Sequence, residues 1–184
     1  MRLWRIAAET RKYGADDLSG KGAAISPGRW NDTGEPVVYA ALSISMAVLE
    51  TAAHVDDLGL PLNRFIVEID VPDVLWGARE EIGVAQLPAA WNAIPAGRAS
   101  VKVGSQWLAE KRSAILLLPS VIVPEEPLAL INPQHPDAGH IQARVVRLFD
   151  YDRLFRASPA KESLLKAAAP RGAPAKATGP KSAR

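Results

Sequence analysis

Apolar and polar residues alternate most clearly in residues 63–71. Phe65, Val67, Ile69 and Val71 lie on one side of this segment, which predicts a strand with one buried face that Pro72 ends. Shorter runs predict strands at residues 3–7, 36–41, 128–132 and 144–151, and an apolar run at 114–123 that Pro119 and Ser120 divide. In the last strand, Val146, Leu148 and the ring of Tyr151 are available for packing.

Helical periodicity is strong in one segment, from Ser43 to about Asp56. The residues spaced along one helix face are Ile44, Val48, Thr51, Ala52 and Val55. Either Ser43 or Ser45 can cap the first turn. A second, shorter helix is predicted from Ser105 to Lys111.

Strands interspersed with one good helix and several short ones predict an α+β fold, with a mixed, largely antiparallel sheet and a few helices. The βαβ pattern of a doubly wound parallel sheet is missing, and so is a G-x-G-x-x-G turn. P-loop, H-E-x-x-H, G-x-S-x-G and EF-hand motifs are also absent from the sequence. The candidate chemistry therefore has to come from individual polar residues.

Composition narrows the class of protein. The 184 residues suit one domain with a tail. Cysteine is absent, which excludes disulfides, Cys-ligated zinc, iron–sulfur clusters and thiol nucleophiles and favours a cytoplasmic protein. No apolar run approaches the roughly 18–20 residues that span a bilayer. Residues 1–6 lack the continuous apolar stretch of a signal peptide.

Positive charge is concentrated at the C-terminus. Residues 157–184 hold six Lys and Arg and a single Glu, so the net charge of +2 leaves −3 for residues 1–156. We predict a folded domain over residues 1–156 and a basic, disordered Ala/Pro/Lys-rich tail over residues 157–184, with at most a short helix at 160–169. The folded part gives no support to a nucleic-acid-binding surface.

Arg29 is a candidate for anion binding. It follows Gly28, so its guanidinium and nearby backbone N–H groups can approach an anion, and Arg suits bidentate phosphate recognition. Taken alone, the segment is better explained by an exposed loop Arg beside Trp30, which anchors the loop.

Glu50 is the only formally charged residue from Pro36 to Val55. Such a carboxylate is either partly buried or lines a cleft, and a buried one needs a cationic or hydrogen-bonding partner. Glu50 and His54 lie four residues apart on one helix face. A structural pair of Glu50 with His54 or with an arginine is an equally good explanation of this pattern.

Ser120 follows a proline within an otherwise apolar run, so it either presents its hydroxyl at a strand end or bonds to local backbone. His135 and His140 lie in a loop rich in Pro and Gly. Their spacing gives little support to a metal site, and two solvated loop histidines are the better interpretation.

Together these segments resemble the RES domain family, named after its Arg, Glu and Ser. The resemblance rests on LWRI at 3–6, GRWN at 28–31, VVYA at 37–40, AVLE at 47–50 with His54 beyond, LPS at 118–120 and INPQHP at 131–136. It covers roughly residues 1–155, and the three naming positions are Arg29, Glu50 and Ser120.

The resemblance implies a toxin of a bacterial toxin–antitoxin pair, with a fold similar to that of ADP-ribosyltransferase toxins. Members of the family cleave NAD⁺ at the nicotinamide–ribose bond and pass the ADP-ribose to water, inorganic phosphate or a protein side chain. The partner implied is a helix-turn-helix antitoxin that covers the active site. Neither a metal nor a membrane is expected to take part.

The reaction requires an anchor for the pyrophosphate, a surface for the nicotinamide and a carboxylate near the ribose. On the family's pattern these roles fall to Arg29, to Tyr39 by stacking, and to Glu50. Ser120 would hold the carboxamide or a phosphate, or orient Glu50. His54 would set the position or charge of Glu50, and Asn132 is a weaker candidate for organising a loop near the cleft.

Two other functions stay open. The first is a binding or regulatory module that keeps the nucleotide pocket without turnover, although the complete set Arg29, Tyr39, Glu50 and Ser120 argues against it. The second is a nucleic-acid-binding protein with a basic tail, which the net charge of the folded part disfavours.

Overall fold

The computed structural model describes residues 1–53, 63–151 and 154. The chain divides into two units, Met1–Asp150 and Tyr151–Arg184. In the second unit, the amide of Leu154 donates a hydrogen bond of 2.9 Å to the carbonyl of Tyr151. The predicted domain boundary at residue 156, the predicted tail and its short helix at 160–169 lie outside the described residues and stay predictions.

The first unit contains seven described strands and four described α-helices. The strands are β1 (Arg2–Ala8), β2 (Val38–Ala41), β3 (Arg64–Asp70), β4 (Glu80–Glu81), β5 (Ile115–Pro119), β6 (Pro127–Ile131) and β7 (Gln142–Phe149). The α-helices are α1 (Lys21–Ile25), α2 (Ile44–Ala52), α3 (Asp73–Gly77) and α4 (Arg98–Glu110). Short 3₁₀ turns lie at Val84–Gln86 and Ala138–His140.

The strands form one sheet in the order β4-β5-β6-β2-β1-β3-β7. Every pair of neighbours is antiparallel except β4 and β5, which are parallel. The pairing of β1 with β2 is limited to Trp4 opposite Ala41. The α+β fold with a mixed, largely antiparallel sheet is therefore confirmed.

One face of the sheet carries the larger core cluster. The strand predicted by alternation is β3, and the four residues predicted on its apolar side, Phe65, Val67, Ile69 and Val71, all pack in this cluster. Strand alternation sends the neighbouring side chains to the opposite face, where Glu68 lies.

Helices α2 and α4 pack on the opposite face. Trp107 and Leu108 of α4 cluster with Leu116 and Leu130, together with Trp30 and Trp91. Met46 and Ala47 of α2 cluster with Ala41 and Leu128. Residues 128 and 130 lie on the same side of β6, so the two helices cover successive parts of one face.

The second predicted helix is too short. It begins at Arg98 rather than Ser105. Its buried residues are Ser100, Gly104, Trp107 and Leu108, which follow the spacing of one helix face. The first two are small and not hydrophobic, so they give no periodic hydrophobic signal although they face the core.

Helix α2 is confirmed with Ser43 as its cap, because the Ser43 hydroxyl accepts a hydrogen bond from the Met46 amide. The most deeply buried residues of the helix are not those that the helical spacing picked out. Met46 and Ala47 are buried, whereas Ile44 and Val48 are half-buried. The helix ends at Ala52, and residues 54–56 of the predicted segment lie outside the described part of the chain.

The expectation that Val146 and Leu148 are packed is also corrected. Both belong to β7, and they are 42% and 58% exposed. Strand β7 is an edge strand, and its pairing with β3 shifts register between Ile66 and Val67. An edge strand leaves part of its side-chain surface to solvent, so apolar residues there need not be buried.

Candidate active site

The loop before β2 is organised by the buried side chain of Asn31. Its Oδ1 accepts hydrogen bonds from the Gly28 amide at 2.9 Å and the Tyr39 hydroxyl at 2.8 Å. Its Nδ2 donates to the carbonyls of Ala23, Asp32 and Glu35. Because Asn31 is only 1% exposed, these bonds replace water for the whole side-chain amide.

Arg29 lies at the centre of this loop with its guanidinium half-buried. Nη1 donates to the carbonyls of Trp91 and Ala93, each at 2.8 Å. Within the described part of the chain, Nε and Nη2 take part in no hydrogen bond. A guanidinium has five N–H groups, so three of them are available to an anion while two hold the side chain against the segment that contains Trp91.

Tyr39 connects β2 to the same loop. Its hydroxyl donates to Asn31 and accepts from the Trp30 amide at 3.0 Å. Burial raises the pKa of the Tyr39 hydroxyl to about 12, although the Trp30 amide and the Arg29 cation both favour the phenolate. The phenol is therefore a neutral donor at neutral pH, and its ring is half-buried.

Glu50 and Ser120 are joined by a short hydrogen bond. Ser120 follows β5 and is fully buried, and its Oγ donates to Oε1 of Glu50 at 2.5 Å. The Ser120 Oγ also accepts hydrogen bonds from the amides of Ile122 and Val123. Both interpretations from the sequence thus apply, since Ser120 stands at a strand end and also bonds to local backbone.

Arg29, Tyr39 and Glu50 are linked electrostatically. Partial burial lowers the pKa of the Arg29 guanidinium, and the Glu50 carboxylate, followed by Tyr39, opposes that shift. The structure therefore brings together four of the predicted site residues, with Glu50 held by Ser120 and Arg29 held through its loop. The arrangement places a cation with free donors near a carboxylate of fixed orientation.

Asn132 lies apart from the Ser120–Glu50 pair. Ser120 lies next to the end of β6 that begins at Pro127, whereas Asn132 follows the other end of that strand. Asn132 is five residues beyond Pro127, or roughly 17 Å along the strand. Its Nδ2 donates to the Leu108 carbonyl and its Oδ1 accepts from the Gln134 amide. The side chain is thus a buried organiser of the loop after β6, and a role in binding stays a prediction.

His54 lies outside the described residues, so its predicted role stays a prediction. His135 accepts a hydrogen bond from the Asp137 amide, and His140 is exposed. In residues 1–53, 63–151 and 154, no group of three or more His, Asp or Glu side chains is arranged to hold a metal ion. Among the helices of that part, none is long and apolar enough to cross a membrane.

Cavity volume alone does not locate this site. A cavity of about 200 Å³ lies elsewhere, lined in part by Arg2, Glu68 and Arg144. In that cavity the Arg144 guanidinium donates a hydrogen bond to Glu68 at 2.8 Å, so the two charged side chains pair with each other. The Arg29 guanidinium is instead held by two backbone carbonyls rather than by a carboxylate.

Sequence reasoning missed two features of the site. It gave no partner for the Arg29 side chain, which the carbonyls of Trp91 and Ala93 provide, because backbone carbonyls carry no residue-specific signal. It also assigned no role to Asn31, although the GRWN motif contains it. A polar residue next to a buried tryptophan was the available signal.

Comparison with known proteins gives consistent matches. A family model described as the RES domain matches residues 2–175. A protein of Sphingobium sp. (strain YBL2) named "Prs ADP-ribosylating toxin" is 56% identical over 150 residues, which is 82% of this chain and 93% of that protein. "Toxin Res" of Photorhabdus laumondii is 34% identical over 151 residues, 82% of this chain and 93% of the relative.

A solved structure has a similar fold. A chain in the crystal structure of the M. tuberculosis MbcT–MbcA toxin–antitoxin complex superposes with a TM-score of 0.57. The alignment covers 90% of this chain and 88% of the other, at 21% sequence identity. At that identity the likeness concerns the fold.

Proposed function

Because this chain belongs to the RES domain family, we propose that it is the toxin of a bacterial toxin–antitoxin pair and that it cleaves NAD⁺ at the nicotinamide–ribose bond. The observation that carries the proposal is the Glu50 carboxylate, oriented by Ser120 and electrostatically coupled to Arg29. The 56% identical relative is named an ADP-ribosylating toxin, and ADP-ribosylation takes its ADP-ribose from NAD⁺.

Glu50 would stabilise the transition state. Cleavage of the bond between nicotinamide and C1′ sends the bonding electrons to nicotinamide, which leaves as a neutral base, and positive charge develops on the ribose. A carboxylate of fixed orientation stabilises that charge without reorganising during the reaction. Ser120 acts here as a positioning residue, since its proton is directed at Glu50 while its oxygen accepts two backbone amides.

Arg29 would anchor the pyrophosphate of NAD⁺. Its Nη1 is held by two carbonyls, and the remaining three N–H groups can bond phosphate oxygens. Tyr39 would offer its half-buried ring to the nicotinamide, while its hydroxyl is engaged by the loop. His54 and Asn132 remain proposed contributors, the first to the state of Glu50 and the second to loop order.

The acceptor decides which product forms. Water would give ADP-ribose, inorganic phosphate would give ADP-ribose 1″-phosphate, and a protein side chain would become ADP-ribosylated, with nicotinamide released each time. The acceptor attacks C1′ and loses a proton. The name of the Sphingobium relative favours a protein acceptor.

The partner proposed is a helix-turn-helix antitoxin that covers the Arg29–Glu50 region. An enzyme that consumes NAD⁺ harms its own cell, so a protein must block it until needed. Residues 1–156 carry a net charge of −3, which favours Lys or Arg on the partner's contacting surface. Co-purification with the product of the adjacent gene should abolish turnover, and an active stable complex would exclude occlusion of the site.

The deciding experiment measures nicotinamide release from NAD⁺ by the purified protein. It is run with and without phosphate, with cell lysate, and with a chelator, and the products are resolved by mass. We expect release that survives the chelator. A binding or regulatory module would instead retain ADP-ribose without releasing nicotinamide, and Glu50→Gln serves as the matched inactive control.

A further inference from the structure

The backbone amides on either side of Arg29 are held by the side chains of Asn31 and Tyr39. The Gly28 amide donates to Asn31 Oδ1 at 2.9 Å, and the Trp30 amide donates to the Tyr39 hydroxyl at 3.0 Å. The Tyr39 hydroxyl then donates to the same Asn31 oxygen at 2.8 Å. The backbone on either side of Arg29 is therefore anchored through a single connected set of hydrogen bonds.

Only an amide side chain meets this demand at position 31. Oδ1 accepts two hydrogen bonds, while the two N–H groups of Nδ2 are shared among three carbonyls, at 2.9, 3.2 and 3.0 Å. A carboxylate at this position can replace the acceptor but not the donor. It would set a negative charge against the three carbonyl oxygens of Ala23, Asp32 and Glu35.

The phenol also lies directly against the loop backbone. A Cβ at position 28 would lie 2.7 Å from the Tyr39 hydroxyl oxygen and 2.8 Å from the adjoining ring carbon. The absence of a side chain on Gly28 permits this approach. On the other side of Arg29, the buried Trp30 ring stacks on Trp91, with the ring centroids 6.1 Å apart.

We propose that Asn31 and the Tyr39 hydroxyl are positioning residues that fix the Arg29 guanidinium for an anionic ligand. The inference rests on the proposed function, which makes that ligand the pyrophosphate of NAD⁺. Tyr39 then has two separable parts, a ring that faces the substrate and a hydroxyl that holds the arginine. The contact to Arg29 is indirect, so loss of either group should act through the placement of Arg29.

The test uses Tyr39→Phe, which keeps the ring and removes the hydroxyl, and Asn31→Asp, which keeps the shape and removes the donors. Two quantities are measured on folded protein. The first is the dissociation constant for ADP-ribose, which contains the pyrophosphate and undergoes no cleavage. The second is the rate at which phenylglyoxal modifies Arg29, followed by peptide mass spectrometry.

We expect both variants to bind ADP-ribose about 10- to 100-fold more weakly, the range for a misplaced binding group, and to expose Arg29 to faster modification. In an Arg29→Ala background, Tyr39→Phe and Asn31→Asp should then have little further effect on binding, because they act through the missing residue. KM for NAD⁺ should rise more than kcat falls.

Ser113→Ala is the matched control. Ser113 is also a buried polar hub, whose hydroxyl contacts Trp107 Nε1, Glu80 and the Ile115 carbonyl. Its loss should lower the melting temperature without changing ADP-ribose binding or Arg29 modification. A reduced melting temperature alone in Tyr39→Phe and Asn31→Asp would overturn the inference.

The outcomes separate the inference from the proposed function. If Arg29 is modified faster in both variants but neither they nor Arg29→Ala weaken ADP-ribose binding, the positioning role stands and the pyrophosphate role of Arg29 is wrong. If the modification rate of Arg29 is unchanged in both variants, the positioning role is wrong, whether or not the protein cleaves NAD⁺. Additive effects with Arg29→Ala would also overturn it.

Discussion

Ser120 donates its hydroxyl proton to Oε1 of Glu50 over 2.5 Å, across 70 positions of sequence. The direction of that proton is fixed by the other contacts of the hydroxyl, because the Ser120 Oγ accepts hydrogen bonds from the amides of Ile122 and Val123. Ser120 therefore couples the turn after β5 to helix α2. A serine whose proton is directed at a carboxylate, while its oxygen accepts two backbone amides, fixes the orientation of that carboxylate.

Ser120→Ala tests this coupling. We expect kcat for nicotinamide release to fall by about tenfold or more, since Glu50 loses the group that orients it. The substitution also leaves two amides without their acceptor, at a cost of about 1–3 kcal/mol in unfolding free energy. Turnover is measured per folded molecule, beside a chemical denaturation curve. A destabilised variant with wild-type kcat would show that Ser120 supports the fold alone.

Local patterns predicted the elements whose buried residues are also hydrophobic. Strand β3 followed from alternation because its inward residues are aromatic or β-branched. The first half of α4 was missed because Ser100 and Gly104 occupy its buried face. Packing against another backbone selects small residues there, and a hydrophobic pattern does not detect that requirement.

The residues that the structure brings together at the candidate site could be named from the sequence, whereas most of the hydrogen bonds that hold them could not. Arg29, Glu50 and Ser120 were identified from short motifs and from charge in an apolar segment. The hydrogen bonds that orient them join distant parts of the chain, including two carbonyls that any residue could have provided. Such pairings depend on the fold, so one sequence does not contain them as a local pattern.

Gly104 sets the distance between α4 and the loop of Arg29. A Cβ at this position would overlap the carbonyl oxygen of Trp30 and lie 2.7 Å from its carbon. Gly104→Ala should therefore destabilise the protein by about 1–3 kcal/mol, the usual range for overpacking, although alanine favours helix. Displacement of Trp30 should also raise KM for NAD⁺, through Arg29.

Gly77→Ala is the control for Gly104→Ala. Gly77 closes helix α3, and a Cβ there would meet nothing within 4 Å. This variant should be neutral or stabilised by up to about 1 kcal/mol, from helix propensity and reduced unfolded-state entropy. Thermal denaturation of both variants gives the comparison. Equal stability changes would mean that the contact at Trp30 relaxes without cost.

Alkaline pH should destabilise the protein through Tyr39. Burial raises the pKa of its hydroxyl to about 12, whereas an unfolded tyrosine titrates near pH 10. Between these values the unfolded chain loses the proton and the folded one keeps it, so the unfolding free energy falls as pH rises. Below about pH 10 the contribution is fully present.

The measurement for Tyr39 is the melting temperature of wild type and Tyr39→Phe between pH 9 and about 12. Other groups titrate in both proteins, so the difference between the two curves isolates Tyr39. We expect the wild-type protein to lose more stability across this window than the variant. Parallel curves would mean that burial does not keep the Tyr39 phenol neutral across this window.

Glu50→Gln separates the chemical role of the carboxylate from a structural one. Glutamine keeps an Oε1 that can accept the Ser120 proton, so the hydrogen bond between α2 and the turn after β5 can persist. The substitution removes the negative charge that would stabilise the positive charge developing on the ribose. We expect kcat to fall by about 10²-fold or more, while ADP-ribose binding, measured by calorimetry, survives.

The competing interpretation gives the opposite pair of results. If Glu50 serves as the ion-pair partner of an arginine or of His54, loss of its charge removes a stabilising interaction and leaves the reaction centre intact. Glu50→Gln would then lower the melting temperature and keep kcat per folded molecule close to wild type. The Glu50 carboxylate influences the Arg29 guanidinium, so Glu50→Gln can also affect anion binding through Arg29. ADP-ribose binding by Arg29→Ala shows how large a defect at the anion anchor alone would be. Both quantities are measured on one preparation, and a destabilised Glu50→Gln protein with full kcat would reject the catalytic assignment.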